Sequence, residues 1–154
     1  MKIILAHLGG STPFLAARVA VLAKHMGCSL SHDDILQDFK SFYYETALSA
    51  YEPTLTAMKQ FVPPDHILFG TDFPGQLQSY LPSLSLTLHS IAVSSKMAEW
   101  YTSNLEDFYT GDTGALSEVM NGNALKLFPR LRGPKAITFD PMPNPLHPMT
   151  NARL

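Results

Sequence analysis

Short apolar runs alternate with segments that have the signals of helices along the first half of the chain. The runs lie at residues 2–6, 41–45 and 66–70, and they consist mainly of isoleucine, leucine, phenylalanine and tyrosine. Continuous apolar runs of this length are typical of strands that are buried on both faces of a parallel sheet. The order strand, helix, strand, helix, strand therefore predicts an α/β fold with three parallel strands.

Proline, glycine and capping residues mark where the predicted helices begin and end. Pro13 and Pro53 suit the first turn of a helix, because the N–H group that proline lacks has no partner there. Ser31 is a suitable cap with acidic residues after it in the first turn, and Gly27 suits a helix end. The predicted helices cover residues 12–26, 31–39, 52–62 and 117–128.

The second half of the chain gives weaker signals. Residues 76–100 alternate serine with leucine and have no clear caps, and we interpret 76–96 as a possible insertion. Five prolines crowd the last 23 residues, which predicts an extended tail. The chain is therefore divided into a folded part, 1–131, and a Pro-rich tail, 132–154.

Composition indicates a globular protein, with 45% hydrophobic and 16% charged residues. The net charge of −2 and the absence of a basic stripe argue against a nucleic-acid partner. No apolar run reaches the ~20 residues that a membrane span needs, so no membrane partner is expected. The single cysteine, Cys28, permits no internal disulfide and fits a reducing compartment, so we expect a cytoplasmic location.

His7 and Asp72 follow closely on two of the predicted strands. In parallel α/β proteins, active sites form at the carboxyl ends of the strands. A histidine and an aspartate brought together there can serve as metal ligand, acid or base. Taken singly, such residues more often cap a helix or satisfy backbone groups. Glu45, at the end of the second strand, is either a carboxylate that supports the site or a structural acid at a strand end, and we favour the structural interpretation.

Four segments, taken in order, resemble the aminocarboxymuconate-semialdehyde decarboxylase family of the amidohydrolase superfamily. Residues 6–14, with Arg18 beyond them, are similar to that family's sixth strand and the start of the helix after it. Residues 42–48 are similar to strand seven, 67–74 to strand eight and 122–128 to the closing helix. The run Phe-Tyr-Tyr-acid-Thr-Ala-Leu-Ser is most similar to the fungal 6-methylsalicylate decarboxylase branch.

The resemblance implies a partial (β/α)₈ TIM barrel, comprising strands six to eight with their helices and the C-terminal helices. It implies a divalent metal, most often zinc, for which Asp72 is the strand-eight ligand. His7 is the implied acid or base, and Arg18 is implied to hold a substrate carboxylate at the neighbouring subunit of a homodimer. The implied reaction is the non-oxidative loss of CO₂ from an aromatic or unsaturated acid such as 6-methylsalicylate.

The sequence departs from the family in its metal ligands. The family's His-x-His pair is absent, because the histidines stand at positions 7, 25, 32, 66, 89 and 147. A full barrel needs ~250 residues, and a catalytic zinc needs about three protein ligands. We therefore expect the 154-residue chain to bind zinc poorly and to be inactive alone.

Two alternatives to a decarboxylase remain open. The first is a non-catalytic half-barrel that acts as an interaction module through its open sheet edge. The second is a metal-dependent hydrolase, because hydrolases share this scaffold. The decarboxylase interpretation makes a geometric prediction: the Cα atoms of His7 and Asp72 should lie about two strand spacings apart, on the order of 10 Å.

Overall fold

Three short strands form one parallel sheet. The computed structural model describes residues 1–73 and 84–132, and for residues 84–92 it describes only the helical backbone. The strands are β1 (Ile4–Leu5), β2 (Tyr43–Glu45) and β3 (Ile67–Leu68), and β2 lies between the other two. Both strand pairs are parallel, which confirms the predicted α/β fold with three parallel strands.

The strands are shorter than the apolar runs that predicted them. The pattern of hydrogen bonds continues a little beyond them, since the Thr46 N–H donates to the Leu68 carbonyl at 2.9 Å. The hydrogen bonds between strands end there. The N–H of Phe69, the first residue after β3, donates to the Val119 carbonyl at 3.0 Å, which lies outside the sheet. A helical segment from the C-terminal part of the chain thus takes the place of a neighbouring strand.

The first three helices lie close to their predicted bounds. Ser31 caps α2 as expected, because its hydroxyl accepts from the Asp34 N–H at 3.1 Å and the Asp34 carboxylate accepts from the Ser31 N–H at 3.0 Å. The Ser31 hydroxyl also donates to the Asp34 carboxylate at 2.6 Å, and this bond, followed by the one from the Ser31 N–H, lowers the pKa of Asp34. The three helices are α1 (Thr12–His25), α2 (His32–Lys40) and α3 (Glu52–Phe61).

The later helices differ from the prediction. Helix α4 (Leu84–Phe108) was not predicted and includes part of the possible insertion. The predicted start of the last helix at residue 117 is wrong: α5 (Thr113–Ser117) begins earlier, where Asp112 accepts from the Ala115 N–H at 3.0 Å. A π-helical turn (Glu118–Gly122) and α6 (Asn123–Leu127) follow α5. None of the described helices is both long and apolar enough to cross a membrane.

The C-terminal helical segment is attached to the sheet through Asn123. This side chain is buried, and its amide donates to the Pro64 and Ile67 carbonyls, both at 2.9 Å. These bonds, together with the one that the Val119 carbonyl accepts from the Phe69 N–H, join the wide turn of the last helix to β3 and the turn before it. The remainder of the possible insertion (76–83) and the Pro-rich tail from residue 133 lie outside the described residues.

The core lies between the sheet and three helical elements, α3, α4 and the C-terminal helical segment. Tyr44 of β2 is at its centre and is fully buried, and its hydroxyl donates to the Phe39 carbonyl at 2.6 Å. Burial raises the pKa of Tyr44 to about 12, so the phenol stays neutral and able to donate. Other members of the core cluster are Leu8, Leu55, Met58, Ile67, Leu105 and Val119.

Replacing Tyr44 by phenylalanine is expected to lower the free energy of unfolding by roughly 0.5–1.5 kcal/mol, because the part-buried hydrogen bond from the phenol to the Phe39 carbonyl is lost. Urea denaturation measures this change. Tyr43→Phe is the matched control, because the Tyr43 ring stacks on His66 and its hydroxyl makes no hydrogen bond among the described residues. Equal effects of the two substitutions would contradict the assignment.

Candidate active site

The carboxyl ends of the three strands meet at one edge of the sheet. His7 follows β1 after one intervening residue, Glu45 ends β2, and β3 leads through Gly70 to Asp72. Because the strands are parallel, all of these segments leave the sheet on the same side. Loops from several strands converge at such an edge, which makes this edge the candidate active site.

The ring of His7 is held by the chain that follows β2. Its Nδ1 lies 2.9 Å from the Ala47 carbonyl oxygen. A carbonyl oxygen only accepts, so Nδ1 is the nitrogen that carries the hydrogen and donates. Nε2 is then the nitrogen left open for chemistry. The His7 side chain is 46% exposed, so a substrate can reach it.

The backbone at His7 is left-handed, which is uncommon for a residue with a side chain. The φ angle is +55° at His7 and +51° at Leu8, and Gly9 and Gly10 continue the positive values. Such conformations are costly and persist where the surroundings enforce them. Here the Leu8 side chain is completely buried in the core. This turn directs the His7 ring toward the end of β2.

Glu45 joins the end of β1 to the end of β2. Its Oε1 accepts from the His7 N–H at 2.7 Å, and its Oε2 accepts from the Ala47 N–H at 2.8 Å. Oε1 also lies 3.9 Å from Nδ1 of His7. From the sequence we favoured a structural role for Glu45, and its hydrogen bond with His7 was not predicted. An acid that ends an aromatic strand was the available signal.

The structure places Asp72 beyond β3 and Arg18 on α1, and both are exposed. Asp72 has a φ of +57°, and its carboxylate makes no hydrogen bond or ion pair within residues 1–73 and 93–132. Arg18 takes part in neither of the ion pairs found in that part of the chain. His7 is thus brought together with Glu45 and Ala47, whereas the predicted roles of Asp72 and Arg18 stay predictions.

The described residues do not form a complete metal site. No group of three histidine, cysteine, aspartate or glutamate side chains within them is arranged to hold a metal ion. Catalytic zinc needs about three protein ligands. Within the described residues the structure therefore shows no complete ligand set, and the role of Asp72 as a ligand stays a prediction.

The family of the chain is shown by comparison with known proteins. Residues 1–130 match the family model described as amidohydrolase. The chain is 36% identical to 6-methylsalicylic acid decarboxylase acuB of Aspergillus aculeatus over 140 residues, which is 88% of the chain and 38% of that protein. It is 34% identical to 6-methylsalicylic acid decarboxylase of Penicillium expansum over 134 residues, 86% of the chain and 36% of that protein.

Solved structures agree with these matches. The fold is similar to Metarhizium anisopliae IDCase in its apo form, with a TM-score of 0.54 and 23% identity over 86% of this chain and 35% of that one. It is also similar to 5-carboxyvanillate decarboxylase LigW from Sphingomonas paucimobilis, with a TM-score of 0.50 and 18% identity over 83% and 33% of the two chains. At these identities the likeness shows the fold.

The fold and these relatives define the class as an α/β protein of the amidohydrolase superfamily that is similar to decarboxylases. The chain belongs to the amidohydrolase family. It spans less than two fifths of the length of these curated relatives. The predicted resemblance of the chain to decarboxylases of the amidohydrolase superfamily is confirmed.

Proposed function

We propose that this chain is the C-terminal part of a metal-dependent, non-oxidative decarboxylase, a carboxy-lyase, that acts on an aromatic or unsaturated acid such as 6-methylsalicylic acid. The observation that carries the proposal is the anchored ring of His7 at the carboxyl edge of the sheet, with Nε2 open. The relatives named as decarboxylases support the reaction class. We propose the activity for a complete barrel, in which this sheet supplies strands six to eight.

The proposed reaction replaces a carboxylate by a proton at one carbon. Protonated His7 donates the Nε2 proton to the ring carbon that bears the carboxylate. The bond between that carbon and the carboxylate carbon then breaks, CO₂ leaves, and the electron pair of the broken bond restores the aromatic ring. His7 is left neutral with Nδ1–H still bonded to the Ala47 carbonyl, so one hydrogen bond serves both charge states.

The proposed roles of Asp72 and Arg18 require a complete enzyme. Asp72 would hold the divalent metal, zinc by family resemblance, together with ligands that the 154 residues do not contain. A bound metal supplies the withdrawal of charge from the acid. Arg18 would hold a substrate carboxylate at the active site of a second subunit, and its exposed place on α1 leaves the guanidinium accessible to one.

A second candidate function, a non-catalytic interaction module, is favoured by the exposed apolar side chains of α1. Phe14 is 69% and Val21 57% exposed, and Met26, the residue after the end of α1, is 84% exposed. The edge of β1 is also not paired with another strand within the described residues, whereas β3 meets the C-terminal helical segment. Exposed edges and apolar patches of this kind mark surfaces that associate. A non-catalytic module would use this surface to bind a partner, whereas in a decarboxylase the same surface packs inside a larger assembly.

The 154-residue chain alone is expected to bind zinc weakly and to release no CO₂ from 6-methylsalicylic acid, because one candidate ligand does not hold the metal. Calorimetric titration with zinc and a CO₂ assay measure both properties. Stoichiometric zinc binding together with CO₂ release by the purified chain would contradict this expectation.

The proposed function is tested on the completed barrel. We define this protein as the 154-residue chain joined behind the part of the Aspergillus aculeatus relative that precedes the matched region. It is expected to bind zinc and to convert 6-methylsalicylic acid to 3-methylphenol and CO₂. A folded, zinc-bound completed barrel that hydrolyses esters or amides and releases no CO₂ would support the hydrolase alternative. A folded protein without either activity would support the interaction module.

A further inference from the structure

The carboxylate of Glu45 holds His7 at two places. It accepts the His7 N–H directly at 2.7 Å, which fixes the backbone. It also accepts the Ala47 N–H at 2.8 Å, and the carbonyl of the same residue receives Nδ1–H of the His7 ring at 2.9 Å. One side chain thus supports both the unusual backbone of His7 and the orientation of its ring.

Gly70 provides the space that this carboxylate occupies. A Cβ atom built at Gly70 would collide with Oε2 of Glu45. The φ angle of Gly70 lies outside the left-handed region, so alanine is conformationally allowed there and the collision is its cost. Thr46 fixes the position of Gly70, since its hydroxyl accepts the Gly70 N–H at 3.1 Å. We call Glu45, His7, Ala47 and Gly70 the Glu45 clasp.

We propose that Glu45 is the positioning residue for His7, and that the Glu45 clasp keeps His7 in its left-handed backbone and in the Nδ1–H tautomer that leaves Nε2 open at the carboxyl edge. The catalytic part of this inference rests on the proposed function. The structural part does not, because the hydrogen bonds of the clasp lie within the described residues of this chain.

Both oxygens of Glu45 are needed for this role. Each oxygen accepts one backbone N–H, so Glu45→Gln keeps the shape of the side chain but replaces one acceptor by an NH₂ group that only donates. One of the two backbone N–H groups then loses its partner. Gly70→Ala is expected to weaken the same two hydrogen bonds. It leaves the Glu45 carboxylate chemically intact, but the new Cβ displaces it.

Nitrogen NMR of the histidine rings in the full 154-residue chain tests the clasp. At a pH at which the rings are neutral, wild-type His7 is expected to show predominantly the Nδ1–H tautomer. Glu45→Gln and Gly70→Ala are each expected to shift the population toward the Nε2–H tautomer. His66 is the internal control, because its Nδ1 bonds to the Phe42 carbonyl at 2.9 Å, away from Glu45, and its tautomer should not change.

Gly122→Ala is the matched control variant, because its new Cβ would also meet a glutamate carboxylate, that of Glu118, which pairs with Lys126 and makes no hydrogen bond to His7. It should leave His7 as in the wild type. An unchanged His7 tautomer in Glu45→Gln would overturn the proposal. Equal changes at His7 and His66 would also overturn it, since Glu45 would then support the sheet as a whole.

The completed barrel gives the catalytic readout. There Glu45→Gln is expected to lower kcat for CO₂ release more than it raises KM, because the proton donor is misplaced while the substrate still binds. If the tautomers change as expected but the wild-type completed barrel releases no CO₂, the structural role of the Glu45 clasp is supported and the proposed function is rejected. An unchanged kcat in an active Glu45→Gln variant would reject the positioning role.

Discussion

Replacing His7 by alanine in the completed barrel is expected to lower kcat for CO₂ release from 6-methylsalicylic acid by about 10²- to 10⁴-fold. The reason is the loss of the group proposed to deliver the proton, since Nε2 of His7 is the open nitrogen at the carboxyl edge of the sheet. The zinc content of the protein should not change. Steady-state kinetics and metal analysis of the same preparation measure both quantities.

His66→Ala is the matched control for this prediction. His66 precedes β3 and bonds to the Phe42 carbonyl, which places it at the amino edge of the sheet, opposite to His7. Its removal is expected to affect stability more than kcat. A His7→Ala variant that keeps wild-type kcat would reject His7 as the proton donor, and one that loses its zinc would make His7 a metal ligand.

The second large effect is expected at Asp72. In the completed barrel, Asp72→Ala should reduce bound zinc after dialysis from nearly stoichiometric to nearly none, because a catalytic zinc site has few protein ligands and each is needed. CO₂ release should be lost with the metal. Elemental analysis and circular dichroism together distinguish loss of metal from loss of fold.

Asp65→Ala is the control for Asp72, because Asp65 lies in the turn before β3 at the opposite edge of the sheet. It should leave the zinc content unchanged. Full zinc content in a folded Asp72→Ala variant would reject Asp72 as a ligand. The carboxyl edge would then retain His7 and its support by Glu45, without a metal ligand from β3.

The parts of the fold that depend on local signals were predictable from the sequence. The Ser31–Asp34 cap and the parallel order of the strands follow from residues that are neighbours in the chain or from short apolar runs. The π-helical turn was not predicted, because no local pattern signals it, and its contact with the sheet, from the Phe69 N–H to the Val119 carbonyl, joins distant segments. Helix α4 lacks clear caps, and packing of residues such as Leu105 in the core stabilises it.

The position of the candidate site could be predicted from the sequence, but the hydrogen bonds that hold His7 there could not. Residues that follow parallel strands leave the sheet at one edge, so the placement of His7 and Asp72 there follows from the strand pattern. The contacts of Glu45 with His7 join residues that are 38 positions apart, and no local pattern encodes them. The space at Gly70 depends on the same tertiary arrangement. The proposed role of Arg18 involves a second subunit, which a single chain does not contain.

Decarboxylation in D₂O by the completed barrel tests the proposed function most directly. With 6-methylsalicylic acid as substrate, we expect equal amounts of CO₂ and 3-methylphenol, with a single deuterium at the ring carbon that carried the carboxylate. His7→Ala should lose this product and His66→Ala should retain it. A folded, zinc-bound completed barrel that leaves 6-methylsalicylic acid unchanged under the same conditions would contradict the proposal that this chain is the C-terminal part of such a decarboxylase.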